Sequence, residues 1–94
     1  MKEFNELKSF KETAKELAAR ETNSNLANIS KIQDYKVKPS DVYVVWYSKT
    51  LQNAKMLLGT NVSDGLYFEA TLNGDKHEMY FDTYKKIRNQ KINM

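Results

Sequence analysis

The stretch LYFEATLNGDKHEMYF, residues 66–81, decides the fold. Leu66, Phe68, Ala70 and Leu72 alternate with Tyr67, Glu69 and Thr71. That is the period-2 pattern of a strand with one dry and one wet face. Asn73-Gly74 is a strong hairpin signal, and Glu78 to Phe81 supplies the return strand. Parity restricts the loop. A two-residue loop at Asn73-Gly74 pairs Phe68 with Met79, Leu66 with Phe81 and Tyr67 with Tyr80, so inward side chains meet inward side chains. It also sets Glu69 opposite Glu78, which costs roughly 0.3 kcal/mol. A four-residue loop, Asn73 to Lys76, keeps the parity and relieves that pair. A three-residue loop without a bulge turns one apolar face to water. The two-residue loop is the expectation, with the four-residue loop open beside it.

Upstream, Val42 to Tyr47 is apolar on both faces and rich in β-branched and aromatic residues, which predicts a central strand covered on two sides. Ser48 to Asn53 reads as a connection. Ala54 to Gly59 is a second run, with Met56 and Leu58 on one face and Lys55 and Leu57 on the other. Asn61 to Gly65 is a turn-rich loop. None of these connections can hold the dozen or so residues of a parallel crossover. The sheet over residues 41–82 is therefore predicted as an antiparallel meander, with strands near 42–48, 54–59, 66–72 and 77–82. Pro39, the one proline, biases Lys38 toward extended backbone and marks the entrance to the sheet.

From Lys2 to Arg20, Phe4, Leu7, Phe10, Ala14, Leu17 and Ala18 recur every three or four residues, which predicts an amphipathic helix over 2–20. Thr22, Asn23, Ser24 and Asn25 break the pattern, because short polar side chains compete for backbone hydrogen bonds. Residues 21–40 then form a connector. Within it Leu26, Ile29 and Ile32 fit either further helical turns or the anchors of a loop. After Phe81, Asp82 can cap a short C-terminal helix over 83–94, with Tyr84 and Ile87 on one side and Lys85, Lys86 and Arg88 on the other.

These elements make residues 1–94 a single α+β domain, an N-terminal helix packed on a four-strand antiparallel meander and followed by a short C-terminal helix. The expected core is Phe4, Leu7, Phe10, Leu17, Val44, Trp46, Met56, Leu58, Leu66, Phe68, Met79 and Phe81.

The formal net charge of +3 is unevenly spread. Residues 1–40 carry +2 and residues 41–82 carry −3, while residues 83–94 carry Lys85, Lys86, Arg88 and Lys91 and no acid. A sheet that binds nucleic acid across its face shows the opposite bias. Cysteine is absent, which excludes disulfide and thiolate-metal chemistry and suits a reducing, cytoplasmic compartment. The longest apolar run, Val42 to Tyr47, is far short of the roughly 20 residues of a membrane helix. Met1-Lys2-Glu3-Phe4 has mixed charges and does not open a signal peptide.

A lone histidine, His77, sits beside the hairpin turn, so most nucleophile–base pairs and transition-metal sites lack their parts. The glycines at 59, 65 and 74 fall at turns and build no phosphate cradle. The carboxylates Asp64, Glu69, Asp75, Glu78 and Asp82 match no calcium loop. The expectation is a protein that is not an enzyme and carries no metal and no cofactor.

The aromatics remain. Tyr43, Tyr47, Tyr67 and Tyr80 fall on the face opposite the inward residues. Either that face is covered by the Ile29/Ile32 segment or the C-terminal helix, or it is a tyrosine surface that contacts a partner. The segments VYVVWYSKTLQNAKMLL (Val42–Leu58) and DGLYFEATLNGDKHEMYFDTYKK (Asp64–Lys86) resemble a family of small uncharacterised proteins encoded by phages and prophages of Gram-positive (Firmicutes) bacteria. The resemblance spans roughly residues 35–90, rests mostly on WYSKTLQN and NGDK, and brings no functional residues with it. It implies a setting, a phage product made inside a bacterial host. The leading reading is a small phage-type accessory protein that binds a host or phage protein through the tyrosine face. The alternative is a nucleic-acid-binding accessory factor using Lys85, Lys86, Arg88 and Lys91, and self-association is a further reading.

Overall fold

The computed structural model describes the backbone at residues 2–29 and 36–94, and side chains at 7–27 and 36–94. One long helix, α1 (Lys2–Ile29), is followed by a 3-10 turn at Pro39–Asp41 and four strands. These are β1 (Val42–Thr50), β2 (Asn53–Thr60), β3 (Leu66–Asn73) and β4 (Glu78–Lys85). The sheet order is β1-β2-β3-β4 with every neighbour antiparallel, the expected meander.

The helix is longer than its apolar periodicity predicts. Thr22 occupies the next inward position, and its hydroxyl donates to the Ala18 carbonyl at 2.9 Å, so the hydroxyl is buried without penalty. Asn23 turns away from its own backbone: its Nδ2 donates to the Val37 carbonyl at 3.0 Å, and its Oδ1 accepts from the Val37 N–H at 2.7 Å. Asn25 Nδ2 donates to Asp64 at 3.1 Å. The residues that signal a break instead carry the helix past Arg20 and pin it to the connector and to the β2–β3 loop. Ile29 lies in the helix backbone, whereas Ile32 and the Phe4 side chain lie outside the described residues.

The core lies between α1 and one face of the sheet. Phe10, Ala14, Ala18 and Ala19 cluster with Met56, Leu58, Phe68 and Ala70, all buried. The alanines bring the helix close, and Phe68 stacks on Phe81 with ring centroids 5.5 Å apart. Leu7, Leu66, Met79 and Phe81 pack half-buried around this cluster.

Two core expectations fail. Val44 and Trp46 are 39% and 51% exposed. β1 is an edge strand and mostly exposed, not the central strand covered on two sides that its apolar run predicts, and Val44, although opposite Leu58, is left partly open there. The outward turn of Trp46 comes from a β-bulge. Val44 pairs with Leu58 and Trp46 with Leu57, so Val45 is an extra residue in β1. One extra residue reverses the alternation, so Trp46 turns out and Tyr47, opposite Met56, turns in.

The β3–β4 register also differs from the expectation. Asn73 pairs with Glu78, leaving Gly74 to His77 as the loop, with His77 at φ 54°. Parity is kept, so the faces are those expected, but each residue meets a partner further along β4: Tyr67 meets Tyr84 and Glu69 meets Asp82. Gly74 sets this register. Its N–H donates to the Gln52 carbonyl at 3.0 Å, and a Cβ at Gly74 would collide with that same oxygen. The two hairpin turns therefore dock on each other.

The short C-terminal helix does not form. Thr83, Tyr84 and Lys85 extend β4 by pairing with Phe68, Tyr67 and Leu66, and residues 86–94 leave the sheet without regular structure. Ladder hydrogen bonds to β3 outweigh the capping signal of Asp82. Among the described residues no helix is long and apolar enough to cross a membrane.

Candidate functional site: an open aromatic sheet face

The second sheet face carries no described element. Cross-strand partners share a face, so the pairing assigns it residue by residue. Tyr43 and Trp46 from β1, Lys55 and Leu57 from β2, Tyr67 and Glu69 from β3, and Glu78, Tyr80, Asp82 and Tyr84 from β4 all lie on it. Tyr43, Trp46, Tyr67, Tyr80 and Tyr84 are between 39% and 55% exposed, each seated on its strand with its outer surface in water. Monomers rarely leave an apolar patch of this kind without a use for it.

Tyr67 and Tyr84 stack at 5.1 Å with nearly parallel rings. Tyr43 lies across Gly59, its ring 3.0 Å from where a Cβ would stand, so the missing side chain makes room for the ring. Tyr80 donates its hydroxyl to Glu78 at 2.7 Å. Lys55 reaches Glu69 at 3.5 Å. The face is thus aromatic and acidic, with Glu69, Glu78 and Asp82 against Lys55. The tyrosines register that field. Tyr80 titrates above its usual value of 10.0 because of its hydrogen bond to Glu78 and that carboxylate's charge. Tyr84 is raised chiefly by the charge of Glu69, then by desolvation and Asp82, with Lys55 opposing.

β2 and β3 stop pairing beyond Leu58 and Phe68, and the two hairpins diverge there. Tyr43, Val45, Leu57, Gly59, Tyr67 and Lys86 line an open hollow of about 540 Å³ at this split. The Lys86 N–H donates to the Gly65 carbonyl at 2.7 Å, which fixes the point where the chain leaves β4.

Of the four tyrosines proposed from the sequence, Tyr43, Tyr67 and Tyr80 share this face. Tyr47 does not. It faces α1, half-buried, with Lys11 Nζ 4.3 Å from its ring centroid and its hydroxyl buried. Trp46 takes its place by way of the bulge. Tyr84 was masked by the helical reading of 83–94, although its even spacing from Tyr80 and Asp82 carried the signal. The four tail cations do not gather: Lys85 ends β4, Lys86 lines the hollow, and Arg88 and Lys91 lie exposed along the tail. His77 is exposed at its turn.

One long helix backing a four-strand meander whose far face is open and aromatic defines a small α+β protein built around a sheet surface. The chain belongs to a family of unknown function (DUF6275), whose model matches residues 11–94. No curated protein and no solved structure matches it.

Proposed function

We propose that this chain is a non-catalytic binding module that grips a protein with the open face of its sheet. The observation that carries the reading is the uncovered set Tyr43, Trp46, Tyr67, Tyr80 and Tyr84. Tyrosine and tryptophan supply large contact area with few rotatable bonds, and they dominate the well-packed centres of protein interfaces. The sequence resemblance to phage and prophage products supports the setting: an accessory protein made in the cytoplasm of a Gram-positive host, whose partner is a host or phage protein.

A second reading, binding of single-stranded nucleic acid, draws on Lys86, which lines the hollow with Tyr43 and Tyr67. Bases stack on such rings. The carboxylates of Glu69, Glu78 and Asp82 would repel a phosphate backbone laid over them, so this reading stands second.

Affinity capture from a Gram-positive host lysate tests the proposal, read by mass spectrometry. The Trp46→Ala/Tyr67→Ala double variant is expected to keep its circular dichroism spectrum and lose the captured protein. The variant with Gln at positions 85, 86, 88 and 91 is expected to keep it. Tight binding of the unmodified chain to single-stranded DNA at physiological salt would overturn the reading in favour of the second.

A further inference from the structure

We infer that a second copy of this chain docks on the open face, through the arm formed by residues 86–94. The inference rests on the reading of that face as a protein contact and names one occupant for it.

The arm has the complementary chemistry. Beyond Lys86, which lines the hollow of its own face, it carries Arg88 and Lys91 with no acid, whereas the face carries Glu69, Glu78 and Asp82 against Lys55 and Lys86. It also bears largely exposed apolar side chains: Ile87 is 92% exposed, Ile92 72%, and Met94 fully. In an extended arm, alternation puts Arg88, Ile92 and Met94 on one side. That side can set a guanidinium among the carboxylates and two apolar side chains on the aromatic rings.

Length fits as well. Nine extended residues reach roughly 30 Å, and an eight-residue strand such as β3 spans roughly 26 Å. The Lys86 N–H bond to Gly65 continues the β3–β4 pairing by one residue, and residues 87–94 are exposed beyond it. Reciprocal exchange between two copies gives a closed two-fold dimer in which each arm covers the other's face. Stable interfaces bury at least about 1,200 Å² in total, and reciprocal exchange supplies two such contacts toward it.

Light scattering and sedimentation of the full chain are expected to show a monomer–dimer equilibrium, with Trp46 emission shifting to the blue as dimer forms. Arg88→Glu is expected to weaken dimerisation at least ~10-fold, because a carboxylate then meets Glu78 and Asp82. A Glu78→Lys/Asp82→Lys double variant is expected to dimerise as poorly. Mixing the two is expected to restore a dimer containing one chain of each, since both arms then meet opposite charge. A chain that stays monomeric at all concentrations, a dimer indifferent to Arg88→Glu, or a mixture that fails to associate overturns the inference. If the chain is monomeric while Trp46→Ala/Tyr67→Ala still abolishes capture of a partner, the arm is refuted and the face reading stands. If the charge-swapped mixture dimerises while that double variant still captures the same protein, the arm stands and the face is not where that protein binds.

Discussion

Replacing Asn23 with alanine separates local propensity from tertiary context by the sign of the effect. In an isolated helix the change is favourable, because alanine is better than asparagine in a helix interior by roughly 0.6 kcal/mol. In the folded chain it removes both hydrogen bonds to Val37, at 3.0 and 2.7 Å. Val37 is only 4% exposed, so its N–H and carbonyl would be left without their partners. A buried backbone group stranded in this way costs about 1–3 kcal/mol. The bonds are only partly shielded, so the lower part of that range applies to each. Set against the propensity gain, the net loss is about 2 kcal/mol. Urea denaturation followed by circular dichroism is the assay, and the midpoint should fall with an unchanged slope. For a chain of this size the melting temperature should drop by roughly 8–16 °C. Asn23→Gln should recover little, since the extra methylene carries the amide past both groups. An Asn23→Ala variant as stable as the parent, or more stable, would refute the reasoning.

Neighbouring residues on β3 test the two faces. Phe68→Ala should cost about 3–5 kcal/mol, whereas Tyr67→Ala, exposed on the other face, should cost no more than about 1 kcal/mol by thermal melting. Gly74→Ala should destabilise by about 1–3 kcal/mol, because its methyl group forces the two turns apart; the same melt reads it, with a parent-like value counting against the docking. In near-ultraviolet titration Tyr80 should ionise above 10.0 and move back toward it in Glu78→Gln. The sign follows: a tyrosine raised in the folded state contributes its stabilisation below the unfolded value and loses it as pH climbs through the folded one. An alkaline transition unchanged by Glu78→Gln would exclude the Glu78 contribution.

Strand positions and the faces of β2, β3 and β4 were legible because alternation depends only on odd and even positions, and parity survives an error in loop length. The loop itself was not legible. Asn73-Gly74 is a local signal, while the register is set by Gly74 seated on Gln52, two strands away in sequence. The bulge at Val45 was hidden inside six consecutive apolar residues, where a change of parity leaves no mark. That concealment exchanged Trp46 and Tyr47 between core and surface. Asn23 and Asn25 read as helix breakers because their partners, Val37 and Asp64, are distant in the chain. Thr83 to Lys85 read as helical for the same reason, their strand partners Leu66 to Phe68 being a hairpin away. Of the aromatic face, Tyr43, Tyr67 and Tyr80 came from alternation alone, the spacing of Tyr84 carried the same signal under a helical reading, and Trp46 needed the bulge.

The meander also sets an order of assembly. Each strand closes only a short loop to reach its neighbour, so hairpin formation loses little chain entropy and runs ahead of more distant contacts. The helix has no such advantage: Phe10 must find Phe68 across more than half the chain. Its docking is expected to come late, and substitutions at Phe10 or Ala14 to act mainly on the unfolding rate, as stopped-flow kinetics can measure. The aromatic face of the sheet is then expected to stand in register before the molecule has acquired its back.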